Sequence, residues 1–152
     1  NRPMRAISLA QTNTMIDAAL AAAAERGLKP LAVIVLDAGG RVKAFQKQDG
    51  AALLRFEISY GKAFAALGMG RSSKLVLQKY RDKPKFIDNL EQLSDGPIFL
   101  EGGAQLILDE HGEVVGAIGI TGDSNEMDDE VAMVGIRAAG FHVDPNQYEG
   151  DG

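Results

Sequence analysis

The chain has 152 residues, of which 45% are hydrophobic, so one domain spanning 1–152 can bury a core without disulfides or metals. It contains no cysteine, which excludes disulfides, thiolate metal sites and thiol nucleophiles. A net charge of −5 argues against a nucleic-acid partner. No apolar stretch approaches the ~20 residues of a membrane span, so no membrane partner is expected.

The ends of the chain carry weaker signals than its interior. Residues 1–6 and 144–152 are expected to be flexible. No hydrophobic segment follows the N-terminal residues, which favours a cytoplasmic protein, and a signal peptide already removed stays open as an alternative.

Hydrophobic periodicity predicts an alternation of helices and strands. Helical spacing predicts five helices, which begin at Ser8, near Ala51, at Ser72 or Ser73, at Pro84 and just before Asp128. Short apolar runs between turn residues predict five strands, at residues 31–36, 41–46, 98–100, 105–108 and 114–121. The capping-box spacing of Ser8 and Gln11 gives the first helix a defined start.

Two segments of the chain repeat the same hairpin pattern. Residues 36–42 (LDAGGRV) resemble residues 108–114 (LDEHGEV) in turn placement and flanking strands. Hairpins pair antiparallel, and helices come before, between and after them. The sequence therefore predicts an α+β fold with a five-stranded antiparallel sheet covered by helices, and not a doubly wound parallel sheet.

Glycines are unusually frequent in the last predicted strands. Gly102 and Gly103 precede one strand, and Gly116, Gly119 and Gly122 recur at every third position of another. Glycine inside a strand indicates a closely packed helix, a bulge or a ligand lying on the backbone, and the sequence leaves these open. The GxxGxxG spacing lacks the strand–helix setting of a dinucleotide site, and no phosphate-binding loop is present.

Several charged residues have both a functional and a plain structural interpretation. Asp49 precedes the central helix, where it either caps the helix or marks an anion site. Arg55 and Lys62 share one face of that helix and either receive a carboxylate or are simply solvated. The acidic run of residues 128–130 either complements the helix dipole, shapes a pocket mouth or holds a hard cation.

The two histidines, His111 and His142, lack partners at zinc-ligand spacing, so no metal site is predicted. His142 is either an axial haem ligand or a residue near a helix end. No Ser-His-Asp arrangement emerges from the spacing either.

The order of the motifs resembles the GlcG/HbpS-like haem-binding family over about residues 5–141. The segments that carry the resemblance are VIVLDAGGRVKAF, DGA, YGKAFAA, GGAQLILDEHGEVVGAIGITG and DDEVA. The resemblance implies a profilin-like or roadblock-like fold and a homo-oligomer. It also implies that some members bind haem or a related tetrapyrrole. Other members are expected to be encoded beside catabolic enzymes, as in a catabolic operon.

The chain departs from the expected family pattern at two places. Ala104 and Gln105 follow the glycine pair where a small residue and then proline are usual. Charge and a phenol are added to the central helix at residues 55–57 and at Tyr60. These departures predict a changed pocket floor and a changed ligand preference.

Three functions are compatible with these observations. The first is a haem- or tetrapyrrole-binding module with haem as its cofactor. Its axial iron ligand would come from Tyr60, a methionine or a histidine. The residues expected to contact the ligand are Arg55, Lys62, Gly102, Gly103, Gly119 and Thr121. The second is a cofactor-independent enzyme acting on an organic acid or aromatic intermediate, with acid–base candidates Asp49, Glu57, Tyr60, Lys62 and Glu101. The third is a non-catalytic oligomeric scaffold.

Overall fold

The structure, a computed structural model, describes residues 6–148. Of the ends 1–6 and 144–152 that the sequence predicts to be flexible, residues 1–5 and 149–152 lie outside the described residues, whereas residues 6 and 144–148 lie within them. The elements in chain order are α1 (Leu9–Glu25), β1 (Ala32–Asp37), β2 (Val42–Lys47), α2 (Arg55–Met69), α3 (Ser73–Tyr80), α4 (Pro84–Leu93), β3 (Ala104–Leu108), β4 (Val114–Thr121), α5 (Asn125–Ala138) and β5 (His142–Val143).

The sheet confirms the α+β prediction. Its five strands lie in the order β2-β1-β4-β3-β5, and every neighbouring pair is antiparallel. β1 and β4 are the inner strands of the two hairpins and pair with each other, with Val33 opposite Ile120. The hairpins are thus joined side by side through the middle of one sheet.

Helices cover both faces of the sheet. Val33 and Val35 of β1 pack with residues of α1 and α5, whereas Ile34 and Leu36 pack with residues of α2 on the other face. A strand covered on both sides has no solvent face, so it is apolar at every position instead of alternating. This explains the continuous apolar run that marks β1 in the sequence.

The first helix and both hairpin turns form as the sequence predicts. Ser8 Oγ accepts a hydrogen bond from the Gln11 backbone N–H at 3.0 Å, and Gln11 Oε1 accepts one from the Ser8 backbone N–H at 3.0 Å. In the first turn, Asp37 Oδ1 accepts from the N–H groups of Gly39 and Arg41. Asp109 makes the equivalent pair of bonds in the second turn, so the repeated pattern produces two equivalent turns.

The fifth strand is not the one predicted. Residues 98–100 form no strand, because they cross over α2: a Cβ on Gly61 would lie 2.7 Å from Phe99 Cβ. The apolar run Ile98 to Leu100 therefore packs on a helix and not at a sheet edge. The fifth strand is His142–Val143, too short to be recognised from periodicity, which pairs with the end of β3.

The central helix starts later than predicted, and this overturns the capping role of Asp49. Its N-cap is Leu54, which makes no side-chain capping bond. Gly50 has φ +87°, and the Ala51 N–H donates to Gln48 O at 3.1 Å, so residues 48–51 form a turn and are not the first turn of the helix. Asp49 is exposed in this turn.

The smaller helices agree with the predicted starts. Ser72 caps α3 through a hydrogen bond from the Leu75 N–H, and Pro84 occupies the first turn of α4. Among residues 6–148 no helix is both long and apolar enough to cross a membrane.

Candidate functional site

A buried ion pair links the two faces of the sheet. Lys62 of α2 donates a hydrogen bond from Nζ to Ile120 O at 3.0 Å, and the same Nζ lies 3.6 Å from Asp128 Oδ2 of α5. Both side chains are almost completely buried. Gly103 has φ +128°, and a Cβ there would clash with the backbone oxygen of Ile120 and lie 2.8 Å from Lys62 Nζ, so this position beside the pair requires glycine.

Burial governs the electrostatics of this pair. Desolvation lowers the pKa of Lys62, although the charges of Asp128 and Asp129 oppose the shift. Desolvation likewise raises the pKa of Asp128 to about 6, against the attraction of Lys62. Asp128 Oδ1 accepts from the Asp123 N–H at 3.2 Å, whereas Oδ2 accepts no hydrogen bond from the described residues.

The acidic run at the start of α5 is divided among different partners. Asp128 pairs with Lys62, Asp129 with Gln105, and Glu130 lies 3.3 Å from Arg26 Nε. Ser124 caps the helix, and burial of Asp128 and Asp129 shows that dipole complementation alone does not explain them. Residues 6–148 contain no cluster of three acidic or histidine side chains arranged to hold a metal ion.

A second buried carboxylate anchors the C-terminal segment. Asp129 Oδ1 accepts from Gln105 Nε2 at 2.7 Å, and Gln105 Oε1 accepts from Gln147 Nε2 at 3.0 Å. Burial raises the pKa of Asp129, opposed by the hydrogen bonds from Gln105 and the Gly103 N–H. This chain of bonds holds Gln147 against the end of the sheet.

A small cleft opens beside the Lys62–Asp128 pair and has a volume of about 190 Å³. Arg55 and Thr121 lie on its wall, where Arg55 Nη1 donates to Thr121 Oγ1 at 2.8 Å. Lys62, Glu101 and Asn125 also contribute to it. The cleft therefore brings together four residues predicted from the sequence: Arg55, Lys62, Glu101 and Thr121.

A second cleft, of about 540 Å³, lies between α3, α5 and the C-terminal segment. It is called the larger cleft because it exceeds the smaller cleft beside the Lys62–Asp128 pair. Lys74 and Arg81 contribute cationic side chains, and Met133 and Tyr148 contribute a thioether and a phenol. Lys74 Nζ lies 5.4 Å from the centre of the Tyr148 ring, a cation–π contact. Gly102 and Asp129 also line this cleft.

Two other clefts each contain few of the side chains that the sequence analysis proposed for a site. One of about 560 Å³ lies beside Asp49 and Pro30, and its lining residues include no His, Met, Cys or Tyr. Another of about 220 Å³ contains His111, which is exposed and 3.3 Å from Glu110.

Comparison with known proteins identifies the family of this chain. The sequence matches the HbpS-like family, described as "Haem degrading protein HbpS-like", over residues 7–137. This chain belongs to the HbpS-like family. No curated protein sequence gives a significant match.

Solved structures share the HbpS-like fold along nearly the whole chain. A PduOC:heme complex is 26% identical with a TM-score of 0.75, covering 93% of this chain and 99% of that chain. Klebsiella pneumoniae protein ORFY is 23% identical with a TM-score of 0.79, covering 92% and 94%. HbpS itself is 22% identical with a TM-score of 0.76, covering 90% and 92%.

The remaining predicted site residues of this HbpS-like chain lie apart from the two clefts. Tyr60 lies in a row of rings between Phe56 and Phe64, with its hydroxyl 3.4 Å from Gly40 O. Gly119 lies under α2, where a Cβ would be 2.4 Å from Ser59 O, so helix packing accounts for this glycine. Glu57 and His142 are exposed.

The sequence did not predict several residues of the larger cleft, among them Lys74, Arg81 and Tyr148. Gln105 was noticed only as a departure from the family pattern, and its buried bond to Asp129 gives that departure a structural role. Lys74 and Tyr148 belong to a short helix and to the end of the chain, and no local pattern indicates that they meet.

Proposed function

We propose that this HbpS-like protein binds haem or a closely related tetrapyrrole in the larger cleft. The observation that carries the proposal is a cleft of about 540 Å³ that contains cationic side chains and two residue types that ligate haem iron. Its volume lies within the ~300–1,000 Å³ typical of small-molecule sites. The smaller cleft, at about 190 Å³, lies below that range.

The side chains of the larger cleft match the chemistry of haem. Met133 and Tyr148 are candidates for the axial ligand, because thioether and phenol oxygen both bind haem iron in proteins. Lys74 and Arg81 are candidates for the two propionates. Leu77 and Pro145 supply apolar surface for the macrocycle. When bound, haem supplies a redox-active iron, and the protein supplies position and charge around it.

The family membership and one relative support the same ligand. The family is described by haem degradation, and the PduOC structure, 26% identical to this chain, is a heme complex. The proposal moves the predicted propionate contacts from Arg55 and Lys62 to Lys74 and Arg81, because Lys74 and Arg81 line the larger cleft whereas Arg55 and Lys62 line the smaller one.

The test is an absorption titration of the purified protein with haemin. We expect a saturable Soret shift at one haem per chain. Met133→Leu and Tyr148→Phe are the ligand variants, and replacing the true axial ligand changes the position of the band. Arg81→Ala should weaken binding about fivefold, the worth of an exposed charge contact.

Tyr60→Phe is the matched control for Tyr148→Phe, because Tyr60 lies in the aromatic row under the other face of the sheet. A spectrum identical to that of free haemin overturns the proposal, and so does a band that responds to Tyr60→Phe but to neither ligand variant. The homo-oligomer implied by the family resemblance stays a prediction, and the mass in solution with and without haemin checks it.

A further inference from the structure

The smaller cleft is lined by charges of both signs. Arg55 and Lys62 lie on one side, and Glu101 and Asp123 also contribute. Both oxygens of Asp123 are already occupied, since Oδ1 accepts from the Ser124 N–H and Oδ2 from the Lys29 N–H, each at 2.8 Å. These bonds hold the Asp123 carboxylate against the backbone, so Glu101 is the carboxylate with an unused oxygen, and the cleft carries two cationic and two anionic side chains.

The cationic side has free hydrogen-bonding capacity. A guanidinium has five N–H donors, and only one of those of Arg55 is used within the described residues, on Thr121 at 2.8 Å. Lys62 is 2% exposed, and its Nζ is fixed by Ile120 O at 3.0 Å and attracted to Asp128 at 3.6 Å. An ammonium has three donors, so one remains for a ligand.

The anionic side has one free acceptor. Glu101 Oε2 accepts from Asn125 Nδ2 at 2.9 Å, which fixes the carboxylate. Its Oε1 accepts no hydrogen bond from residues 6–148. A ligand that fills the cleft thus meets donors at Arg55 and Lys62 and an acceptor at Glu101.

We propose that this cleft binds a small carboxylic acid that also bears an amino or hydroxyl group. The carboxylate lies against Arg55 and Lys62, where bidentate and charge-assisted bonds are strongest, and the amino or hydroxyl group donates to Glu101. The cleft volume of about 190 Å³, roughly that of six waters at ~30 Å³ each, suits a ligand with a short carbon chain.

This proposal does not rest on haem binding. The two clefts are neighbours: Glu101 lines the smaller one, Gly102 lines the larger one, and Asn125 lines both. Failure of haemin to bind leaves the present proposal intact, and failure of the acids to bind leaves the haem proposal intact.

The experiment is calorimetric titration of the full chain with alanine, lactate and propionate, three acids of equal chain length. Propionate keeps the carboxylate and lacks the donor group. We expect saturable binding of alanine or lactate, and about tenfold weaker binding of propionate, the worth of one hydrogen bond to a charged group. A preference for alanine assigns the donor as an amine, and a preference for lactate assigns it as a hydroxyl.

Variants separate the two ends of the ligand. Arg55→Ala should weaken binding of all three acids about tenfold, whereas Glu101→Gln should weaken only those with a donor group. Arg41→Ala is the control, because Arg41 is an exposed arginine in the β1–β2 turn. Thermal unfolding confirms that each variant is folded.

Three results overturn the proposal. They are the absence of saturable binding by any of the acids, equal affinity for propionate and the preferred acid, and an affinity that Arg55→Ala leaves unchanged.

Discussion

Lys62 of α2 and Asp128 of α5 come from helices on opposite faces of the sheet, and Lys62 Nζ lies 3.6 Å from Asp128 Oδ2. The two side chains meet beside Gly103, the residue before β3. Gly103 has φ +128°, and a Cβ there would clash with Ile120 O, the backbone oxygen that accepts from Lys62 Nζ. Desolvation shifts both pKa values towards the neutral forms, so burial outweighs the mutual attraction. We infer that the pair adds little net stability and instead helps to fix the position of α2 against α5.

Removing only the cation should destabilise the protein more than removing both charges. Lys62→Met leaves Asp128 buried without its partner, and we expect a loss of about 3 kcal/mol, the lower end of the range for breaking a buried pair. The lower end applies because Asp128, with its pKa already raised to about 6, takes up a proton readily. Urea unfolding at pH 7 measures the loss.

The double variant Lys62→Met, Asp128→Leu is the matched control. Replacing a buried pair by apolar residues of similar size is often neutral, so most of the lost stability should return. Asp128→Leu is measured on its own as well. If the loss of unfolding free energy in the double variant equals the sum of the losses in Lys62→Met and Asp128→Leu, the two side chains are not energetically coupled.

The pH dependence of stability should reveal the raised pKa of Asp128. Its folded pKa of about 6 exceeds the ordinary value of 3.8, so the folded state binds the proton more tightly than the unfolded state. The stability from this group is complete below pH 4 and is lost as the pH rises through about 6, by about 3 kcal/mol at 1.36 kcal/mol per pKa unit.

Asp128→Asn lacks this titration and supplies the reference. The free energy of unfolding of the wild type minus that of the variant should fall between pH 4 and pH 7. A difference that stays constant across this interval, or that rises, contradicts the raised pKa.

Gly119 should be intolerant of even a methyl group. A Cβ at this position would lie 2.4 Å from Ser59 O, a backbone atom of α2 that cannot move aside without shifting the helix. Gly119→Ala should therefore cost about 1–3 kcal/mol, the usual penalty for overpacking. Chemical denaturation gives the change in unfolding free energy.

Gly68→Ala is the control for Gly119→Ala. Gly68 lies in α2, and a Cβ there meets no atom within 4 Å. Alanine is the better helix former, so this change should stabilise the protein by up to about 1 kcal/mol. Equal effects of the two substitutions would show that α2 does not pack closely on Gly119.

Local sequence signals account for much of the fold and for only part of the site. The capping bonds of Ser8 and the turn bonds of Asp37 join residues within four positions of each other, so a motif is enough to predict them. Ile98 to Leu100 has the composition of a strand and packs on α2, because long-range packing decides between the two. Asp128 looks like a residue that complements a helix dipole, and only the folded chain brings Lys62 to it.

The bond between Gln147 and Gln105 should control affinity for haemin in the larger cleft. Gln147 Nε2 donates to Gln105 Oε1 at 3.0 Å and to Asp144 O at 2.6 Å, and these bonds hold the segment that carries Tyr148. Gln147→Ala should raise the dissociation constant for haemin about fivefold, the equivalent of one ordinary hydrogen bond. Hydrogen exchange of residues 144–148 should become faster in the same variant, because their anchor is lost.

Gln46→Ala provides the comparison, since Gln46 is an exposed glutamine on the edge strand β2. It should change neither the haemin affinity nor the exchange of residues 144–148. Faster exchange in Gln147→Ala with unchanged haemin affinity would mean that the C-terminal segment is held by Gln105 but is not a wall of the haem site. Haem would then have to lie against α3 and α5 alone, with Met133 and not Tyr148 as the candidate ligand.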